Sequence, residues 1–354
     1  MRFRCLQIPC SIGLVVTVSI ALTVPSVAGE RAEKPFRHFL TTRMGLSDEE
    51  LAGLAAGKVL VNVLDVEDRH ELVLLGAVRI DVPWEFVLES LKNLAKYRLE
   101  NNAMHIKKIG EPSSIADFES FELPEADIKD LKKASIGKSN VKMTEKMFNQ
   151  IQTEVDWSGD YAKDVNRIMR EMLVRRTNDY RKGGLDMLSP YVDKEPPQRV
   201  LDGMKHLLGR KSALFEYVPE FAEYLAKYPT VELDGTTDLI FCVFEDFGMK
   251  PTLSTRHVSI HRAPEGYRIK FTLAEINLYS SHYFQSMYSV TTLAESDLID
   301  DGMASYVLFS QRFWFDSELK GMKRRSAEGR LSDAMEDTMK RQRDRLEAAY
   351  QSEK

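Results

Sequence analysis

The densest group of side chains that could do chemistry is YSSHYFQSMYSV, residues 279–290. His282 stands among Tyr279, Tyr283, Phe284 and Tyr288, with Ser280, Ser281, Ser286 and Ser289 between them. An imidazole near hydroxyls suggests general acid–base or nucleophilic chemistry. The spacing argues against a nucleophile–base pair. Adjacent side chains on a strand diverge to opposite faces, and no GxSxG turn surrounds either serine. His282 then reads as a polar contact among tyrosines, which combine apolar area with a hydroxyl. That combination suits the lining of a cavity for a lipid or sterol-like ligand, and it is equally normal on a protein-binding surface.

Two flanking segments extend the candidate set. In YRIKFTLAEINLY (267–279), strict alternation puts Ile269, Phe271, Leu273, Glu275, Asn277 and Tyr279 on one face, an acid and an amide ending an apolar row. In ASYVLFSQRFWF (304–315), Tyr306, Leu308, Ser310, Arg312 and Trp314 oppose Val307, Phe309, Gln311, Phe313 and Phe315. A buried arginine requires a partner, so Arg312 is expected either to pair with Glu275 or to take a ligand carboxylate or phosphate in its planar fork. The expected ligand-binding set is Glu275, Asn277, Tyr279, His282, Tyr283, Tyr288, Arg312 and Trp314.

Other chemistries find little support. His257 and His261 share a strand face across Ser259, but four extended residues span about 13 Å, too far for one metal without a bend. Joining them with His282 and Glu245 or Asp246 would need contacts that nothing local fixes. HExxH, GxGxxG and GxxxxGK[ST] are all absent. Neither a catalytic residue nor a metal or cofactor is assigned. Arg175 and Arg176 in a long helix, with Asp164, Glu171 and Asp179 nearby, read as a solvated, salt-bridging face.

The elements that would position these residues are legible. Ser47 and Glu50 form a capping box opening a short helix that Gly57 ends, within a leader at 30–57. KVLVNVLDV (58–66) and ELVLLGAVRIDV (71–82) read as strands. Pro83 then opens a helix with Trp84, Val87, Leu88, Leu91 and Leu94 on one face. HIKKIG (105–110) and DFESFEL (117–123) read as further strands. Residues 127–236 are helical, clearest at 159–184, with shorter helices at 198–208 and 219–227. Five strands follow, at 238–246, 252–262, 267–279, 283–293 and 304–315. Their connections are too short for crossover helices, so the sheet is antiparallel. A last helix over 326–350 carries Leu331, Ala334, Met335, Met339, Leu346 and Tyr350 on one side. The expectation is one α+β domain over 58–354, interrupted by a helical insertion at 127–236.

The N-terminus reads as an export signal. Arg2 and Arg4 precede the uncharged run IGLVVTVSIALTV (12–24), and small residues at Ser26, Ala28 and Gly29 follow Pro25. Thirteen mostly apolar residues fall short of the ~20 that a spanning helix needs. Cleavage after residue 29 would remove Arg2 and Arg4, taking the formal charge from -5 to -7, and would leave Cys242 as the mature chain's only cysteine. No internal disulfide framework is then possible. An acidic chain gives no general reason to bind nucleic acid or an anionic membrane. Periplasmic or secreted location, with no transmembrane segment after cleavage, is the expectation.

This order of elements resembles the START-like, or helix-grip, superfamily. GAVRIDVPWEFVLESL (76–91) is similar to the opening of such domains, and the closing helix occupies the matching place. The resemblance implies a curved antiparallel sheet around a long C-terminal helix, enclosing a cavity for a hydrophobic small molecule or lipid. It carries over no functional residue. A similarity to exported bacterial proteins of undefined function supports targeting alone. Two rivals remain: a cavity-based hydrolase or isomerase using His282, Glu275 and Arg312, and an envelope interaction or scaffold protein recognising its partner through 127–236.

Overall fold

The computed structural model describes residues 36–91, 103–209, 215, 218–246, 250–265, 268–295 and 304–353, all within one compact unit, Lys34–Lys354. The expected export signal lies outside them. Two short helices, α1 (Phe36–Thr42) and α2 (Asp48–Ala55), lead in. The capping box of α2 forms as its sequence requires: Ser47 Oγ accepts from Glu50 N, and the Glu50 carboxylate accepts from Ser47 N at 2.8 Å. Strands β1 (Leu60–Leu64) and β2 (Glu71–Ile80), helix α3 (Trp84–Leu91) and strand β3 (Ala103–Lys108) follow.

The insertion contains α4 (Glu125–Lys132), α5 (Glu145–Glu154), α6 (Tyr161–Gly183), α7 (Val200–Gly209) and α8 (Pro219–Lys227). Then come β4 (Thr236–Glu245), β5 (Thr252–Arg262), β6 (Ile269–Ser280), β7 (Phe284–Glu295), β8 (Ser305–Phe315) and the closing helix α9 (Gly321–Glu353). The segment 117–123 is not a strand. Phe118 and Phe121 are three apart, a helical spacing, and residues 115–118 make one 3-10 turn with both rings buried.

The eight strands of the described residues form a single antiparallel sheet in the order β1-β2-β8-β7-β6-β5-β4-β3. The chain leaves at β3 and returns at its neighbour β4, so the insertion starts and ends at one edge. Both faces are covered, which explains why ELVLLGAV is apolar without alternation. One face packs on the insertion through Val165, Ile168, Met172, Leu173, Met204 and Phe221. These helices are therefore core partners of the sheet rather than a cap over a cavity mouth.

Arg176 follows the same logic. The sequence places it on a solvated face, yet it is buried. It donates to Leu278 O (3.0 Å), Ser189 O (2.7 Å) and Tyr191 OH (3.1 Å), and its guanidinium lies over the Tyr191 ring. Arg175, one residue along, stays half-buried beside Gln150 and Glu171.

The opposite face packs against α3 and α9. Helix α9 buries Ala327, Leu331, Met335, Met339 and Leu346, and its main contacts are with β2, β1 and α3. It thus lies at the β1–β2 end of the sheet, whereas the expected helix-grip arrangement has a curved sheet wrapped around it. Gly76 on β2 permits this approach, since a Cβ there would meet Met339 Sδ at 2.5 Å and Met335 Sδ at 3.2 Å. A long C-terminal helix on an antiparallel sheet is the coarse architecture of a helix-grip-like fold.

Candidate functional site

Strand β5 concentrates the chemistry. Its sequence, TLSTRHVSIHR, is polar at most positions, yet ten of its eleven residues are buried or half-buried. Burial of such groups is tolerable only if each finds a partner.

On the α9 face, Arg256 contacts Glu245 on β4 and Glu275 on β6, the latter at 3.4 Å. All three are at most 7% exposed, and apolar residues Phe241, Val258, Phe271, Leu273 and Met287 share this face. Asn277 lies opposite Arg256. With its amide turned to suit its neighbours, Asn277 donates to Tyr279 O (2.6 Å) and Thr255 O (3.0 Å). Those carbonyls belong to the β-bulge between β5 and β6, so Asn277 braces the bulge from within.

That bulge corrects the alternation. Phe271 to Asn277 keep a two-residue period, but Tyr279 turns to the insertion face beside Leu278, and Ile269 does so at the other end of β6. Tyr279 OH donates to Lys142 O at 3.0 Å, and its ring meets Tyr191 edge-on.

On the insertion face, β5 presents Ser259 and His257 next to Asp238 on β4. Ser259 Oγ is 2.6 Å from Asp238 Oδ1, and His257 Nε2 is 2.7 Å from the same oxygen. These are the residue types of a hydrolytic triad, but the connectivity differs. Tyr180 OH on α6 donates to His257 Nδ1 at 2.7 Å, so both imidazole nitrogens are occupied. Ser259 Oγ also lies 3.0 Å from His257 Nε2, but it gives its proton to the nearer carboxylate, and Tyr224 on α8 donates to the other carboxylate oxygen. His257 is 0% exposed, whereas the Asp238 side chain keeps 30%. Burial alone would raise Asp238, but His257, Ser259 and Tyr224 together hold it below its ordinary value. A serine already donating to a carboxylate, beside an imidazole with no vacant nitrogen, is not activated for acyl transfer. The cluster ties α6 and α8 to β4 and β5.

His261, two residues beyond Ser259, pairs with Thr236 Oγ1 (3.0 Å) and stacks on Phe221, and burial lowers its affinity for a proton. His282 has different partners, Asp127 Oδ2 at 2.9 Å and Asn140 O at 2.8 Å. Burial would raise Asp127, yet His282 and Lys250 outweigh it and keep that carboxyl low. The three histidines therefore stand in separate knots, and Glu245 faces the other side of the sheet. Among the described residues no group of His, Cys, Asp and Glu is arranged to hold a metal.

Arg312 does not pair with Glu275. Its β8 position faces the insertion, and Nη1 donates to Glu71 Oε1 at 2.8 Å. Trp314, also on that face, stacks with His70 (5.4 Å) and contacts His206 (4.0 Å). Tyr288, paired with Arg312 across β7 and β8, stacks on Phe215. Tyr283, which has φ of 63°, accepts from Lys250 N and packs towards the α9-side cluster. The expected set thus divides. Glu275, Asn277 and Tyr283 go with the α9 side, while Tyr279, His282, Tyr288, Arg312 and Trp314 go with the insertion. His282, Glu275 and Arg312 do not converge, which removes the geometric basis for joint catalysis by these three.

Arg256, Glu245, Asp238 and Tyr180 were outside the expected set. Arg256, Glu245 and Asp238 had a weak local signal, a charge inside an otherwise strand-like run. Tyr180 matters through a contact made by folding. No family model matches the chain, and no match was found among curated proteins.

Proposed function

We propose that the protein is an exported, non-catalytic binder of a hydrophobic small molecule or lipid, related in architecture to START-like domains. The ligand is assigned to the α9 side of the sheet. One observation carries this reading: a row of buried polar groups, Glu245, Arg256, Glu275 and Asn277, set in a wide apolar face. Apolar walls with a few convergent polar groups are the composition of small-molecule sites generally. The apolar face continues to β4, whereas α9 makes its main contacts at β1 and β2, so the polar row lies away from the helix's principal seat.

Export places the mature N-terminus near Ala28 or Gly29, which N-terminal sequencing of protein recovered outside the cytoplasm would check. Binding is tested by solvent extraction and mass spectrometry of the full chain after mild purification. The expected result is a stoichiometric hydrophobic molecule, depleted in a Val258→Trp variant that fills the face. An empty wild-type protein that also takes up no fluorescent fatty acid or sterol probe would overturn the reading.

A further inference from the structure

The turn between β6 and β7, Ser281–Tyr283, is gripped from two sides. Lys142 N donates to Ser281 O at 3.0 Å, and Asp316 N donates to Tyr283 O at 2.9 Å. The side chains of the same two residues meet as an ion pair, and Asp193 Oδ2 approaches Lys142 Nζ at 3.8 Å. Two distant segments thus hold the turn, the stretch before α5 and the chain leaving β8, and the loop after α6 joins them through Asp193.

Two carboxylates crowd one lysine within this grip. Lys142, Asp193 and Asp316 have side chains only 1%, 3% and 11% exposed, so two carboxylates share one directly paired ammonium in a site nearly closed to water. The Oδ1 atoms of Asp193 and Asp316 are buried without a hydrogen-bond partner among the described residues. Of the neighbouring cations, Lys194 also acts on both carboxylates, more weakly than Lys142. Lys194 Nζ donates to Ser139 O, and Arg176 donates to Leu278 O, Ser189 O and Tyr191 OH, all neutral acceptors, whereas His282 and Lys250 are paired with Asp127. Tyr191 and Tyr279 complete the surroundings, and both are held protonated by burial. Two like charges are costly in a dry site where a single ammonium pairs with both directly.

We infer that Asp193 and Asp316 share one exchangeable proton, and that Lys142, Asp193 and Asp316 form a pH-sensitive latch on the β6–β7 turn. With the proton in place, one carboxyl can donate, and the ammonium pairs with the remaining carboxylate. As pH rises, the carboxyl O–H bond breaks, the proton passes to water, and the second negative charge strains the grip. Burial raises both carboxyls, Asp193 adds to the rise at Asp316, and Lys142 and Lys194 oppose it without cancelling it. A group that binds its proton more tightly folded than unfolded gives stability that is complete below the unfolded value, here 3.8. That stability is lost as pH climbs through the higher folded value.

Amide hydrogen exchange on the full chain tests the latch, followed at Lys142 and Asp316 and corrected for intrinsic base catalysis. Protection of these two amides is expected to fall by up to about tenfold per pH unit somewhere above pH 4. Asp193→Asn and Asp316→Asn each remove one of the two charges and should flatten that dependence, whereas Asp127→Asn should not. If an asparagine variant fails to fold, infrared spectroscopy of the wild type decides. A protonated-carboxyl stretch that disappears as pH rises supports the latch. Its absence, protection independent of pH, or an unchanged slope in both asparagine variants overturns it.

Discussion

Tyr180 OH lies 2.7 Å from His257 Nδ1, joining residues 77 apart in sequence and closing the imidazole's last position. This contact separates a structural knot from a catalytic triad. A working base needs a nitrogen able to receive the nucleophile's proton, and here tyrosine and aspartate hold both.

Tyr180→Phe should therefore cost stability. It leaves a buried imidazole acceptor unpaired while keeping the ring that stacks on Tyr228. A loss of about 1–3 kcal/mol is expected from an unsatisfied buried group. Urea unfolding monitored by circular dichroism would measure it, and an unchanged midpoint would mean the hydroxyl contributes nothing.

Asp127 and Asp238 set an acid limit opposite in sign to the Asp193–Asp316 pair. Both are held below 3.8 in the fold, so their contribution is present above that value and is lost as pH falls through the lower folded value. Asp238→Asn should narrow its stability gap from wild type as pH drops below about 4. Thermal unfolding between pH 2 and 7 reads this directly, and a gap that widens on acidification would contradict the assignment.

Arg176→Lys tests whether the planar guanidinium is needed. Lysine keeps the charge but loses the fork that spans Leu278 O, Ser189 O and Tyr191 OH, together with stacking on Tyr191. Hydrogen bonds to charged groups are worth roughly 1.5–3 kcal/mol, and a loss in that range is expected. A neutral outcome in equilibrium denaturation would show that lysine reaches the same carbonyls.

Much of this fold is written locally. The late strands and α9 were legible because their patterns are long and uninterrupted, and the α2 cap because it occupies four consecutive residues. Partner choice was not. Arg312 meets Glu71, 241 residues away, and no local pattern selects Glu71 over Glu275. Tyr279 was misplaced for a different reason. Alternation assumes an unbroken ladder, and the bulge braced by Asn277 adds the residue that turns the tyrosine over. Asp238 and His257 are 19 apart, brought level only by pairing of β4 with β5.

Three glycines should differ in their tolerance of alanine, because their neighbours differ in freedom to move. At Gly76 the new methyl meets methionine side chains of α9, which can shift. At Gly203 on α7 it meets Ser286, including Cβ at 2.8 Å, on a central strand. At Gly184 it meets the backbone carbonyl of Tyr228, and φ of 67° adds left-handed strain. Overpacking typically costs about 1–3 kcal/mol, so Gly76→Ala should fall at the low end, Gly203→Ala higher, and Gly184→Ala beyond it. Unfolding midpoints of the three variants give the order. Gly76→Ala as the most damaging change would mean that α9 is held far more rigidly against β2 than its methionine contacts imply.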